Sequence, residues 1–417
     1  MFFLDCRPMR RPSTLISLVL LAFALVAVPA GAAKRAQNQP LEIGLQDDQV
    51  FVAQNLLTPQ KGYDLAKALG VSRLRINLGW AGVVGDTAKD AQVPHPVPYD
   101  WSDVDRAIDQ AAANGQRVQL TLLGPVPAWA SARHGKPSNY KPNPRLFAQF
   151  ARAAAQHFRG RVDRYSIWNE PNYSSWLNPH VSAPQQYRTL YTGAYRGIKR
   201  ADPNAQVLLG ETSPIGRTGV ASSPLTFLRQ ITCSKADYTA ARKCPPLRTD
   251  GYAHHPYTLL SGTAYGPYFP GLTTDDVTTG SLVRLDHALD KLQKRGALIN
   301  TGGGTSPTRN PLNLYLTEYG FYARGKTTAS TLPETQRAAY LRKGFQLSLK
   351  DPRVKLVVQY LLAPQSPLYS FDTSLVDKQG EPDLAFQSLS AWVQQAGAAG
   401  QIVVPTPFTL PPAPVTP

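Results

Sequence analysis

At 417 residues, 42% apolar and 17% charged, the chain can form one large globular domain and is too apolar to be disordered. Its formal charge of +16 is spread thinly, with no block of five Lys or Arg, so a nucleic-acid partner is not indicated. A solvated basic surface, suited to an acidic polymer, fits the balance better.

Residues 1–33 open with Arg7, Arg10 and Arg11, continue with an apolar run from Leu15 to Val28, and end in Ala30-Gly31-Ala32-Ala33. That is the build of a secretory signal peptide cleaved near Ala32 or Ala33, and it implies a secreted, extracellular protein. The alternative is an uncleaved N-terminal membrane anchor, for which the run is short. Without these residues, which hold three Arg and one Asp, the charge is +14. Cys6 leaves with them. Cys233 and Cys244 remain, outside any C-x-x-C pattern, and in an exported chain they read as a disulfide closing one loop. Two free thiols are the alternative. No neighbouring Cys or His completes a metal ligand set, so no metal is expected.

Leu41–Leu45 reads as a first strand, followed by a helix from about Pro59 to Leu69 that Gly70 stops. Val71 to Leu78 alternates as a second strand, and Ser102 to Asn114 carries Val104, Ile108 and Ala111 at helical spacing. Gln116–Leu123 is a third strand. The next helix, Pro144 to Phe158, places Leu146, Phe147, Phe150, Ala154 and Phe158 on one stripe. A fourth strand ends in Tyr165-Ser166-Ile167-Trp168-Asn169-Glu170-Pro171-Asn172. A helix near Pro184–Ala201, a strand at Gln206–Gly210 and an irregular section with both cysteines come next. Thr249–Ala253 is a sixth strand, running into His254-His255-Pro256-Tyr257. A helix near Ser281–Arg295 precedes a seventh strand, Leu314-Tyr315-Leu316-Thr317-Glu318-Tyr319-Gly320-Phe321. A helix from Pro333 to about Lys350, a strand at Val354–Leu361 and a helix from about Pro382 complete the set. From about Gly400 the chain is a Pro-rich extended tail (401–417).

This reads as eight strands alternating with eight helices, about 45 residues per unit, which predicts an α/β fold of the (β/α)8 TIM-barrel kind as a single domain over 34–400. An open doubly wound sheet is the alternative, but no G-x-G-x-x-G follows the first strand. In a barrel all C-terminal strand ends face one mouth, so the residues there form a functional test. They include Arg75 and Trp80 on strand two, Trp129 after strand three, Asn169 and Glu170 on strand four and Glu211 on strand five. His254, His255 and Tyr257 follow strand six, Glu318 ends strand seven, and Gln359 and Tyr360 end strand eight. Carboxyls, amides and aromatic faces suit a sugar. Glu170 and Glu318, 148 residues apart, are the pair that glycoside hydrolysis requires.

The segments Trp168-Asn169-Glu170-Pro171-Asn172 and Thr317-Glu318-Tyr319-Gly320 resemble the strand-four and strand-seven signatures of clan A retaining glycoside hydrolases of the family 39 and family 5 kind. The resemblance covers residues 41 to 395. It implies Glu170 as acid/base, Glu318 as nucleophile, Asn169 as holder of the sugar 2-hydroxyl, Arg75 as support for the nucleophile, and Tyr257 or His255 as its orienting neighbours. Gln359-Tyr360-Leu361 departs from the pattern, since many relatives carry Trp near the end of strand eight.

A retaining mechanism predicts carboxyls ~5–5.5 Å apart. Like charge should raise the pKa of Glu170, while Arg75 should keep Glu318 ionised. Adjacent strand residues face opposite ways, so of His254 and His255 one is structural, with His255 placed in the site. Glu211 reads as a solvated or ion-paired strand end. Trp80, Trp129 and Trp176 read equally as core packing or as sugar platforms. Asn172-Tyr173-Ser174 matches a glycosylation pattern that a glycan could use only by obstructing the mouth. The expectation is a secreted retaining glycosidase acting on a polysaccharide or oligosaccharide with no cofactor. Its rivals are a catalytically silent sugar-binding barrel and an inverting or transglycosylating enzyme on the same site.

Overall fold

A computed structural model of the chain describes residues 39–260, 263–323, 332–365 and 371–414. The expected signal peptide, residues 1–33, lies outside the described residues, as does the end of the tail beyond 414. Among the described residues no helix is long and apolar enough to cross a membrane.

The eight strands of the barrel are β1 (Glu42–Gln46), β2 (Arg73–Gly79), β3 (Arg117–Leu123), β4 (Arg164–Ile167), β5 (Gln206–Thr212), β6 (Gly251–His254), β7 (Leu314–Tyr319) and β8 (Val354–Tyr360). Each pairs in parallel with its sequence neighbours, and β8 pairs back onto β1 to close the barrel. The helices between them are α1 (Pro59–Ala68), α2 (Ser102–Ala113), α3 (Pro144–His157), α4 (Ala183–Ala201), α5 (Pro224–Ile231), α6 (Leu282–Lys294), α7 (Glu334–Lys350) and α8 (Leu384–Ala398). α5 lies in the stretch whose pattern gave no regular element. This is the (β/α)8 architecture expected from the alternation.

Local chemistry sets the element ends. The Thr58 hydroxyl accepts from the Lys61 N–H at the start of α1, and Asn143 accepts from the N–H groups of Arg145 and Leu146 at the start of α3. The apolar stripes then pack against the barrel, with Phe147, Phe150, Ala151 and Ala154 of α3 all buried. α3 and α4 approach closely because Gly197 has no side chain: a Cβ there would stand 2.7 Å from the Ala148 carbonyl oxygen. A second apolar group, Leu208, Ala253, Tyr315, Leu356 and Val358, fills the barrel between β5 and β8. Ions close the N-terminal end. Arg73 donates to Glu42 at 2.7 Å and to Asp163 at 2.7 Å, and Arg164 donates to Glu42 at 2.6 Å.

The Pro-rich segment runs extended along this end of the barrel. Leu41 donates to the Gln401 carbonyl at 3.0 Å, Val403 donates to Leu41 at 2.9 Å, and Ile402 is buried in the core. Further on, the Arg117 guanidinium lies 5.0 Å from the Phe408 ring centre.

Cys233 and Cys244 are bonded, with Cα atoms 6.2 Å apart. Cys233 is buried at the end of α5, so the bond fixes the irregular section to that helix. Closing so short a loop should stabilise by about 2–3 kcal/mol. Unfolding free energies from urea titrations with and without reductant should therefore differ by that amount, and equal values would show the bond to be dispensable.

Candidate active site

The site is assembled at the C-terminal end of the barrel by departures from regular strand geometry. β4 ends at Ile167, and between it and Pro171 the residues Trp168 (φ 70°) and Glu170 (φ 39°) occupy the left-handed region. Glu211 does so too, at φ 52°, where the β5–β6 register shifts between Gly210 and Thr212. The β7–β8 register shifts between Leu316 and Tyr319, around Glu318. A bulge re-aims a side chain, and here each one falls at a carboxylate. Left-handed non-glycine residues cost of order 1–3 kcal/mol each, so the surrounding packing holds them there.

These departures bring together Glu170, Glu211, Glu318, Arg75 and His255. One Arg75 nitrogen donates to Glu318 at 2.7 Å, and the other donates to Asn169 and Glu211, each at 3.0 Å. His255 Nδ1 lies 3.1 Å from Glu170 Oε1 and 3.6 Å from Glu318 Oε2, while its Nε2 lies 2.7 Å from Glu211 Oε2. Tyr257 donates to Glu318 at 3.2 Å and Thr317 to Glu211 at 2.8 Å. An oxygen of Glu170, an oxygen of Glu318 and a nitrogen of His255 all lie within 4.8 Å of one another.

The electrostatics follow from burial and from an uneven division of the cations. Burial pushes Glu211 up, but Arg75 and His255 overcome it and hold the carboxyl at about 2. Burial pushes His255 down, yet Glu318, Glu170 and Glu211 raise it to about 10. Burial pushes Glu318 up from its ordinary value; His255 and Arg75 pull it down, and Glu170 and Glu211 push it up again. The net direction is upward, although Arg75 pulls the carboxyl toward its ionised form as expected. The physical reason is burial first, with the like charge of Glu170 and Glu211 adding to it, while Arg75 divides its hydrogen bonds between Glu318 and Glu211. Arg75 and His255 thus face three carboxyls, Glu170, Glu211 and Glu318.

Glu170, His255 and Glu318 have a spacing that could suit a metal ion. Both His255 nitrogens, however, face carboxylates, and an imidazolium donating from both offers no lone pair to a metal.

Several sequence-derived site residues fall where they were placed: Glu170, Glu318, Asn169, Arg75, His255 and Tyr257 converge. His254 is the structural member of its pair, fully buried, with Nδ1 2.9 Å from Thr212 Oγ1 and Nε2 2.9 Å from the Val277 carbonyl. Two others, Trp80 and Trp129, differ. Trp80 is 1% exposed, stacked on Phe150 at 5.2 Å and edge-on to Trp129 at 5.3 Å. Trp129 is buried and donates to the Thr87 carbonyl at 2.9 Å. Both rings are core packing and not sugar platforms, because Trp80 fits between Phe147 and Phe150 of α3 and Trp129 packs edge-on against Trp80. Tyr360 stands 5.9 Å from Phe371, and it is Phe371 that lines the cavity. Asn172 is fully buried, donating to the Ser213 and Ser222 carbonyls, so it ties the β4 loop to the β5 loop and is closed to a glycan. Glu211 is ion-paired as read, but it sits inside the site. The sequence signal for that was Gly210, whose φ of 118° opens the bulge.

A cavity of about 290 Å³ adjoins Glu170, lined among others by Tyr173, Tyr257, Tyr322 and Phe371. No protein-family model and no curated protein matches the chain. Solved structures do match. A family 39 glycoside hydrolase from the gut symbiont Bacteroides cellulosilyticus WH2 superposes with a TM-score of 0.59 at 18% identity, over 85% of this chain and 63% of that one. The chain shares its fold with that enzyme. A monomeric β-xylosidase from Caulobacter crescentus CB15 gives 0.54 at 16% identity over 85% and 67%. A glucosidase from Croceicoccus marinus gives 0.55 at 13% over 86% and 69%. The chain thus spans less than two thirds of the length of the first of these glycoside hydrolases.

Proposed function

We propose that the chain is a secreted retaining glycoside hydrolase acting on a β-linked polysaccharide or oligosaccharide, with Glu170 as acid/base and Glu318 as nucleophile. One observation carries the reading: carboxyl oxygens of Glu170 and Glu318 lie within 4.8 Å of each other. That is in line with the ~5–5.5 Å of retaining pairs and too close for the ~6.5–9.5 Å that leaves room for an inverting enzyme's water. The shared fold with glycosidases and the basic, apolar and small-residue order of residues 1–33 support the remaining parts.

In the first step a Glu318 oxygen bonds to the anomeric carbon as the glycosidic C–O bond breaks. The leaving oxygen keeps the electron pair and takes the proton of Glu170. Tyr257 and Arg75 hold the attacking carboxylate in line. Glu170, now ionised, removes a proton from water, the water oxygen bonds to the anomeric carbon, and Glu318 is released. Hydrolysis of a panel of aryl β-glycosides and β-glucans, followed by proton NMR of the first-formed anomer, tests this. A β product is expected. An α product would mean that water attacks directly.

A further inference from the structure

The cavity beside Glu170 contains two polar groups that the hydrolytic chemistry does not use. Arg217 lines it, exposed, and among the described residues its guanidinium makes no hydrogen bond or ion pair. Its backbone is nonetheless fixed. The Arg217 N–H donates to Ala221 at 2.8 Å, its carbonyl accepts from Val220 and Ala221, and Ser174 and Ser222 tie the same turn to the β4 loop. The second group is Ser213, also in the lining and 7% exposed, whose Oγ has no partner among the described residues. A buried hydroxyl left unpaired is costly unless a ligand satisfies it. The remaining walls, including Ile215, Leu259, Leu260 and Phe371, are apolar or aromatic.

Glu170 lines this cavity, and Glu318 is not among its lining residues. If Glu170 is the proton donor, the oxygen it protonates belongs to the departing group, so the cavity beside it is that group's seat. We propose that Arg217, with Ser213, selects leaving groups that carry a carboxylate, a uronic acid unit being the sugar form. This rests on the assignment of Glu170 as acid/base. An apolar wall takes the C–H face of the ring, the Ser213 hydroxyl takes a ring hydroxyl, and the guanidinium pairs the carboxylate at the rim. The positive charge of the whole chain draws the same class of polymer toward the mouth.

The test compares substrates matched except for the leaving unit: a neutral hexose, the corresponding hexuronic acid, and a 4-carboxyphenyl aglycone. The ratio of kcat/KM, acidic over neutral, is measured at fixed ionic strength for the wild type, Arg217→Ala and Arg217→Lys. The ratio should exceed one in the wild type, fall about two- to fivefold in Arg217→Ala, and be largely kept in Arg217→Lys. A preference for the uronate alone assigns the seat to a sugar acid, and a preference for the carboxyphenyl glycoside alone assigns it to an aromatic acid. Calorimetric binding of the hexose- and hexuronate-terminated oligosaccharides to Glu170→Gln reads the seat without turnover. Acid-selective binding that Arg217→Ala abolishes upholds the seat even if no substrate is hydrolysed and the glycosidase reading fails. Equal affinity for acidic and neutral members, no binding of either, or a ratio unmoved by Arg217→Ala overturns the proposal.

Discussion

Glu318→Gln should lower kcat by roughly 10⁴-fold or more on every substrate, because it replaces the anionic carboxylate that attacks the anomeric carbon with a neutral, poorly nucleophilic amide. The amide keeps the size of the carboxyl and a partner for Tyr257, so the fold and ground-state binding should survive. Glu170→Gln should behave differently. Its loss should be large for sugar leaving groups, which need a proton, and much smaller in the first step for nitrophenolates, which do not. With activated substrates the glycosyl-enzyme then accumulates, seen as a burst of nitrophenol followed by a slow steady rate. Azide adds a stereochemical check. In Glu170→Ala it should attack the glycosyl-enzyme and give the β-glycosyl azide, whereas in Glu318→Ala it should occupy the nucleophile's place and give the α anomer. Equal losses for the two variants on nitrophenyl and sugar leaving groups would remove the distinction between acid/base and nucleophile.

Glu211→Gln should cost both activity and stability, although Glu211 need touch no substrate. Its one oxygen accepts from Arg75, His255 and Thr317 at 2.7–3.0 Å. Neutralising it leaves two buried cations short of a partner, a change of about 3–5 kcal/mol in comparable buried pairs. Arg75 should then turn wholly to Glu318 and His255 should lose part of its charge, so the titration of Glu318 should shift. The expected result is a kcat about 10²-fold lower, a KM changed much less, and a displaced pH–kcat/KM profile, with Glu211→Asp recovering part of the rate. A profile of unchanged shape, lowered uniformly, would reduce Glu211 to a packing role.

The wild type carries a related pH signature in stability. His255 rises from 6.5 to about 10 on folding, so its contribution is fully present below pH 6.5 and is lost as the pH climbs through about 10. Glu211 falls from 4.5 to about 2, so its contribution is present above pH 4.5 and is lost as the pH drops through about 2. These two groups therefore favour stability between about pH 4.5 and 6.5. Thermal midpoints measured across pH 3–10 should decline on both sides of that window, and less steeply on the alkaline side in Glu211→Gln.

The sequence by itself determined the alternation of strands and helices and the end of most elements, because those rest on local physics: apolar period, N-caps, and glycines or prolines that stop a segment. It also placed Glu170 and Glu318 at strand tips, since an apolar strand running into Asn-Glu-Pro or Thr-Glu-Tyr-Gly leaves the carboxyl where the strand ends. Only the tertiary structure decided how the site is charged. Whether Arg75 serves Glu318 alone or divides itself with Glu211 depends on a β5 bulge beside β6, which no local pattern encodes. The same holds for the rings. Trp80 and Phe371 are both large aromatics near the mouth, and their sequence neighbourhoods do not say which one α3 covers. Burial and the sharing of charge arise between segments far apart in the chain, and they fix which of the residues that converge at the mouth are buried, how each is charged, and what each can do.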